Sequence, residues 1–545
     1  MVAQVGAETL RAGGNAFDAA VAMGFASAVV EPAAAGIGGG KLQYVFVTRG
    51  GRAGCIDAPV VCPSGALPGS YEIDPTVPRG LFGFRGVKNR ENEEGHRSVA
   101  VPGVLAGLCF ALRRFGSLPL PLVVEPAVEL ARNGFKLSWI DICHIASSQA
   151  LIARYPETSA IFLRNGQVPS PSVQFPLGED PLLLQRDLAA SLAGIGQQGP
   201  DLFYRGDIAQ AIVDEMARGG GWLTREDLRS YQPRECPVSV MEYRGFKLMT
   251  GPDFEIFEGL GILSNFDLAS MGHNSVEELN LVAQASFLAH GDFYGYLTSP
   301  DGKVPPLDKY TAPGFLRDRA SLMDPSRASF PALFPEEGAS PMLGGNTTTG
   351  YAAKDRWGNV VTCLQTHGSV FGSGVTVPGT GILLNDQMLG FNPESGTHVS
   401  IAPRKSRPIP GWPIIGVGKD GRVFALYGPG GNRVACALIQ AVINIVDYGL
   451  PIREALLSPR IDCGSVPGAR NVILADSQLP RAVVEGLEAM GHRTMMVSRS
   501  FVAPGGSPHA FASPGGIADA DDGVGLSGAN DPDVDGGLIE LSLPG

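Results

Sequence analysis

The sequence predicts an α+β fold. Helices dominate between residues 200 and 300, and hairpin strands take over after residue 346. Composition supports a large core: of 545 residues, 44% are hydrophobic and 18% charged, which rules out disorder for the bulk of the chain. The 73 glycines and 43 prolines stay under the roughly 25–30% share of low-complexity chains.

The elements follow in order. Asn15 is placed to cap a helix, with Asp18 three residues on and an Ala-rich apolar run behind it. The helix ends before Glu31-Pro32, and the glycine-rich turn 36–40 feeds a strand over 42–48. Residues 51–100 read as irregular, with a charged run over 88–97. Helices follow over 103–115 and 125–133, the second stopped by Gly134. Further helices are expected over 208–218, 225–230 and, longest, 275–296. Residues 325–345 are dense in Gly and Pro and read as an exposed linker. Strands over 348–353 and 360–366 then flank the five-residue loop 355–359. Strands over 412–418 and 422–427 flank Lys419-Asp420-Gly421, and a helix over 433–448 follows.

The balance of 42 Lys+Arg against 54 Asp+Glu gives a net charge of −12, which argues against nucleic acid as a partner. No stretch approaches the ~18 apolar residues of a membrane span; the best, 19–30, is flanked by Asp18 and Glu31. Met1-Val2-Ala3-Gln4 shows no basic n-region, so no signal peptide and a cytoplasmic location are expected. Eight cysteines without a C-x-x-C pair read as reduced thiols.

Two tempting motifs fail. Gly416 to Gly421 match G-x-G-x-x-G, but a dinucleotide site needs a helix after the turn and here a strand follows. Asp531-Pro532-Asp533-Val534-Asp535-Gly536 resembles the start of a calcium loop, yet its twelfth position is Ser542 rather than glutamate.

One constellation survives. Pairing 354 with 360 and 353 with 361 across the first hairpin sets Thr348 directly opposite Thr366, with Cβ atoms ~5 Å apart. A threonine becomes a useful nucleophile when it supplies its own base, the free α-amine of a chain N-terminus, which here requires a cut before Thr348. Downstream, Gly428-Pro429-Gly430-Gly431-Asn432 joins a strand to a long helix. Adjacent glycine N–H groups at a helix start are suited to an oxyanion, at ~3–4 kcal/mol per donor.

These segments, with Gly13-Gly14-Asn15-Ala16-Phe17-Asp18, Val30-Glu31-Pro32, Gly381-Ile382-Leu383-Leu384-Asn385, Gln387-Met388 and Arg407-Pro408, resemble γ-glutamyltranspeptidases over nearly the whole chain. The resemblance implies an N-terminal nucleophile hydrolase with a four-layer αββα sandwich and no cofactor or metal. It implies a precursor that cuts itself at Thr347–Thr348 into a large segment, 1–347, and a small one, 348–545, intertwined in one domain. A homo-oligomer of such heterodimers is compatible with it. Thr348 would be nucleophile and base, Thr366 the helper that hydrogen-bonds it, and Gly430 and Gly431 the oxyanion hole. Asn385 and Gln387 would line the substrate.

The pocket departs from the family pattern. Gly368 stands where the family has an asparagine for the substrate amino group, and Gly390 where it has an aspartate for the same ammonium. Pro410-Gly411 replaces a double serine, and Pro59 stands where an arginine for the α-carboxylate is expected. Losing a charged partner costs ~2–5 kcal/mol of recognition, so ordinary γ-glutamyl binding is not expected. Arg407, Arg85, Arg90 and Arg97 are candidate carboxylate clamps, and His367 is a spare ring beside Thr366. The family also resembles cephalosporin acylases, oxamate hydrolases and the C–C-bond-cleaving homologues of lincomycin and pyrrolobenzodiazepine pathways. The leading expectation is therefore an autoprocessing hydrolase or acyltransferase acting on a small carboxylated substrate in specialised metabolism. A γ-glutamyltranspeptidase with a rebuilt pocket and an inactive, unprocessed homologue remain as alternatives.

Overall fold

The computed structural model describes residues 1–80, 82–169, 181–331, 346–407, 413–463, 472–498, 514–519 and 526–530. At its centre lie two large antiparallel sheets. The first has five strands in the order Arg234–Cys236, Ala53–Ala58, Lys41–Val47, Val360–Ser369, Asn346–Lys354. The second has six, in the order Leu526–Asn530, Gly515–Asp519, Val423–Tyr427, Ile414–Gly418, Phe246–Thr250, Ser239–Tyr243. Strands from both sides of the Thr347–Thr348 bond contribute to both sheets, as adjacent blocks.

The sheets face each other through a small apolar layer that includes Val45, Val360, Met249, Ile415 and Ala425. The outer face of the first sheet is covered by the helices Ala16–Val30, Val104–Phe115, Leu120–Asn133 and Arg186–Gln198. The outer face of the second is covered by Glu255–Leu263, Val276–Leu297 and Val434–Val446. The result is the αββα layering expected. Ala16–Val30 is buried along its whole length, because it lies between the sheet and the Leu120–Asn133 helix. A helix enclosed on all sides has no need of a polar face, hence its uniformly apolar, Ala-rich sequence.

Local rules account for most boundaries. Asn15 accepts hydrogen bonds from the Phe17 and Asp18 N–H groups while Asp18 accepts from the Asn15 N–H, a reciprocal capping box. The G-x-G-x-x-G match is the hairpin Ile414–Gly418 with Val423–Tyr427, so no helix follows the turn. Two expectations needed correction. Between residues 200 and 300, read as helical, lies the hairpin Ser239–Tyr243 with Phe246–Thr250. Its turn is Arg244-Gly245, both at positive φ, without the Asn-Gly signature that marks such turns in sequence. The helix expected over 125–133 begins at Leu120, with Pro121 in its first turn and Pro126 in its interior. Pro121 sits where no amide donor is needed, and Pro126 masked the continuity of the pattern. Residues 332–345 of the linker expected over 325–345, the acidic turn expected over 531–536 and Pro410-Gly411 lie outside the described residues.

Candidate active site

The hairpin that carries Thr348 is held at its closed end by one carboxylate. Asp355 accepts from the backbone N–H groups of Trp357 and Asn359 at 2.9 and 3.0 Å and from the Asn359 side chain at 2.7 Å. Its second oxygen also accepts from the Ala16 N–H at 3.0 Å. One side chain thus shapes the loop and fastens it to the start of the buried helix.

At the open end the ladder changes. Pairing runs in register to Gln365 opposite Thr349, then resumes with Gly368 opposite Thr347. Thr366 and His367 together oppose Thr348, a β-bulge. The regular register that sets Thr348 squarely against Thr366 is thereby corrected by one residue. The Thr366 hydroxyl donates to the Thr347 carbonyl oxygen at 2.8 Å and accepts from the Gly368 N–H at 2.8 Å. In the uncut chain it therefore grips the carbonyl of the Thr347–Thr348 bond. Thr348 itself is half-buried. His367 is fully buried against Gly36, where an added Cβ would fall 2.5 Å from its Cε1, and burial pushes its pKa down to about 4. A neutral, packed ring offers no acid–base service near neutrality.

Gly430 and Gly431 form the corner between the Val423–Tyr427 strand and the Val434–Val446 helix, at φ 140 and 62. Only glycine enters this region without strain. The turn Gly431–Arg433 packs beside the Asn346–Lys354 strand, which brings the glycine corner to the threonine hairpin. Gly350 on that strand admits the Tyr427 ring, since a Cβ there would lie 2.4 Å from it.

The turn Gln387–Gly390 spans the remainder of the site. At its start, the wholly buried Asp386 carboxylate accepts from the Ser369 N–H at 3.0 Å, and its other oxygen has no partner among the described residues. Burial pushes its pKa up to about 7, against the pull of the Ser369 hydrogen bonds. Gly368, at φ 117, leaves room for this carboxylate: a Cβ there would stand 2.1 Å from Asp386 Oδ1 and 3.2 Å from Gln387 Nε2. At the far end, a Cβ on Gly390 would stand 2.2 Å from Arg407 Nη1. Arg407 is 1% exposed, and none of its three guanidinium nitrogens has a partner among the described residues. It lies on the Phe82 ring with Cζ 4.0 Å from the centroid, and burial lowers its pKa to about 9. The three-residue advance along a 3₁₀ turn separates the two ends by roughly 6 Å.

The structure thus brings together Thr347, Thr348, Thr366 and Gly368, with Gln387 and Gly390 along one turn and Arg407, from the Ser406–Arg407 strand, against its end. Asn385 is used up by backbone groups. It donates to the Gly38 and Ala100 carbonyls and accepts from the Ala100 and Gln387 N–H groups. It positions the turn rather than facing a ligand. Arg85, Arg90 and Arg97 are engaged in surface ion pairs with Glu394, with Glu93 and Glu94, and with Glu91 respectively, which leaves Arg407 as the clamp candidate. Sequence reasoning missed Asp386 and Phe82. Asp386 stands between two motif residues and was detectable by place; Phe82 comes from a distant irregular segment and gave no signal.

A four-layer αββα sandwich presenting a threonine at the open end of a central hairpin is the architecture of an N-terminal nucleophile hydrolase. The chain belongs to the gamma-glutamyltranspeptidase family, whose model matches residues 2–538, and it is accordingly an enzyme of hydrolase or acyltransferase type. It is 33% identical over 529 residues to the Acylase ACY 1 proenzyme of Pseudomonas sp. (strain SE83), covering 95% of this chain and 90% of that protein. It is 31% identical over 540 residues to the glutathione hydrolase proenzyme of Escherichia coli (strain K12), covering 95% and 89%. In fold it is similar to the crystal structure of cephalosporin acylase from Bacillus halodurans, with a TM-score of 0.81 and 23% identity, covering 100% of this chain and 94% of that one.

Proposed function

We propose that the chain is a precursor that cuts itself at Thr347–Thr348 and then uses Thr348 on a small carboxylated substrate other than an ordinary γ-glutamyl peptide. The observation that carries this reading is Arg407, a buried guanidinium without a partner among the described residues, beside Gly390. A charge desolvated in this way is strongly unfavourable unless an anion completes it. A substrate carboxylate is the species that fits, bound in two parallel hydrogen bonds.

In self-cleavage the Thr348 hydroxyl attacks the Thr347 carbonyl carbon, while the Thr366 hydroxyl, already on the carbonyl oxygen, stabilises the developing negative charge. The acyl group moves from nitrogen to oxygen, and water hydrolyses the ester. The products are a carboxylate on Thr347 and a free α-amine on Thr348, the base for all later turnovers. The cut also frees the end of the strand segment 346–347 that pairs with Gly368 and Ser369, and its withdrawal would open the space around Asp386. In turnover, Thr348 attacks the substrate carbonyl, Gly430 and Gly431 receive the oxyanion, and water or an acceptor releases the acyl group. An activated ketone forms the same tetrahedral oxyanion, so cleavage of a C–C bond in antibiotic metabolism is within this chemistry. Names borne by the relatives, acylase proenzyme and glutathione hydrolase proenzyme, support processing and acyl transfer alike.

One observation favours a second reading, a γ-glutamyl enzyme with a rebuilt pocket. Asp386 places a carboxylate beside Gly368, in position to receive a substrate amine. Kinetics of the processed protein on the p-nitroanilides of γ-glutamate, of glutarate and of butyrate decide the matter. Glutarate well above both others supports the main reading; γ-glutamate at or above glutarate supports the second. A single uncut band near 57 kDa with no turnover overturns both.

A further inference from the structure

The eight cysteines are all reduced, and six are buried; only Cys143 and Cys236 are partly exposed. Cys236 ends the short edge strand Arg234–Cys236 of the first sheet and pairs directly across from Cys55 on the Ala53–Ala58 strand. Residues directly opposed in an antiparallel ladder have Cβ atoms ~4.5–5.5 Å apart, close to the ~3.5–4.5 Å of a disulfide. Cys55 is buried and Cys236 partly exposed. The neighbouring Cys55 thiol holds Cys236 below the ordinary thiol value, while burial raises Cys55 well above it. The pair thus divides into an accessible nucleophile and a sheltered partner.

The same face carries charges that bear on the hairpin. Two residues along the ladder Asp57 pairs with Arg234, at 3.0 Å between Oδ2 and Nη2, and with the buried Lys41. Lys41 in turn lies across from Thr366. Cys55, Cys236, Asp57, Arg234 and Lys41 take no part in the acyl chemistry.

We propose that Cys55 and Cys236 are a modification site, oxidised reversibly to a cross-strand disulfide by a peroxide. The Cys236 thiolate attacks a peroxide oxygen and the O–O bond breaks, giving a sulfenic acid and hydroxide. The Cys55 thiolate then attacks the Cys236 Sγ; the S–S bond forms, the S–O bond breaks and hydroxide leaves. With the two thiol protons, the products from hydrogen peroxide are one disulfide and two waters. The new bond ties the edge strand to its neighbour and closes a long loop, so the oxidised protein should unfold later than the reduced one.

The test treats the processed enzyme with a few equivalents of hydrogen peroxide, counts free thiols and maps linked peptides by mass, with Cys143 as the exposure control. The expected result is loss of two thiols, a Cys55–Cys236 linked peptide 2 Da lighter than the pair, and a melting temperature raised by about 5 °C. Dithiothreitol should reverse all three, and Cys236→Ser or Cys55→Ser should abolish the linked peptide while leaving basal activity unchanged. Oxidation of Cys143 as fast as Cys236, a link to any other cysteine, or Cys236 stopping at a sulfinic acid would overturn the proposal.

Discussion

Replacing Arg407 by Met separates a binding role from a structural one, because the two predict opposite changes in stability. Burial alone lowers the guanidinium from its ordinary value to about 9. At about 1.4 kcal/mol per tenfold, this corresponds to roughly 5 kcal/mol of desolvation, undiminished at pH 7, below both values. The Phe82 stack offsets roughly 0.5–2 kcal/mol of it. Methionine fills a similar volume without a charge, so Arg407→Met should stabilise the processed protein by about 3 kcal/mol in urea titration. Activity should move the other way. Loss of a buried carboxylate partner at ~2–5 kcal/mol lowers kcat/KM on glutaryl p-nitroanilide roughly 30- to 5,000-fold, with little change on the butyryl analogue. A destabilised variant, or an equal fall on both substrates, would show that Arg407 serves the fold and would refute the reasoning.

Other outcomes can be stated briefly. Thr348→Ala should remain a full-length, inactive chain by intact mass; continued processing would move the nucleophile to a neighbour. Thr366→Val removes the donor to the Thr347 carbonyl and should slow self-cleavage by roughly 10²–10³, while orphaning the Gly368 N–H at about 1–3 kcal/mol of stability; an unchanged cleavage time course would sink the assignment. Gly368→Asn, which would restore the family's side chain, should misfold or melt early, since its Cβ meets Asp386 Oδ1 at 2.1 Å and φ is 117. Gly390→Asp meets the mobile end of Arg407 and should fold, pair with it and abolish carboxylate binding; equal tolerance of the two would contradict this geometry. Asp386, raised to about 7 in the fold, binds more protons folded than unfolded between about pH 4 and 7. Its contribution to stability is therefore full below pH 4 and lost as pH rises to 7, and Asp386→Asn should remove as much as about 4 kcal/mol of that dependence.

The sequence by itself determined the class of fold, the two hairpins, the capped buried helix and the short list of chemistry-bearing residues. The hairpins and the capped helix rest on local physics: period-two and period-3.6 patterning, an Asn–Asp capping box, and a loop whose Asp355 bonds its own backbone; the fold class and most of the site residues rest on the resemblance to γ-glutamyltranspeptidases. Tertiary structure alone decided what those residues touch. The extra residue in the ladder at Thr366-His367 is invisible to alternation, because a bulge is set by what packs on either side, here Gly36 against the His367 ring. Of the four candidate arginines, Arg90 and Arg97 pair with glutamates a few residues away and Arg85 with the distant Glu394, whereas Arg407 is brought onto Phe82 with no partner among the described residues. The two glycines that replace the family's polar residues read as simple losses, yet one makes room for Asp386 and the other lies against Arg407. A missing side chain is a local fact, whereas the group that fills its space comes from wherever the fold brings the chain back.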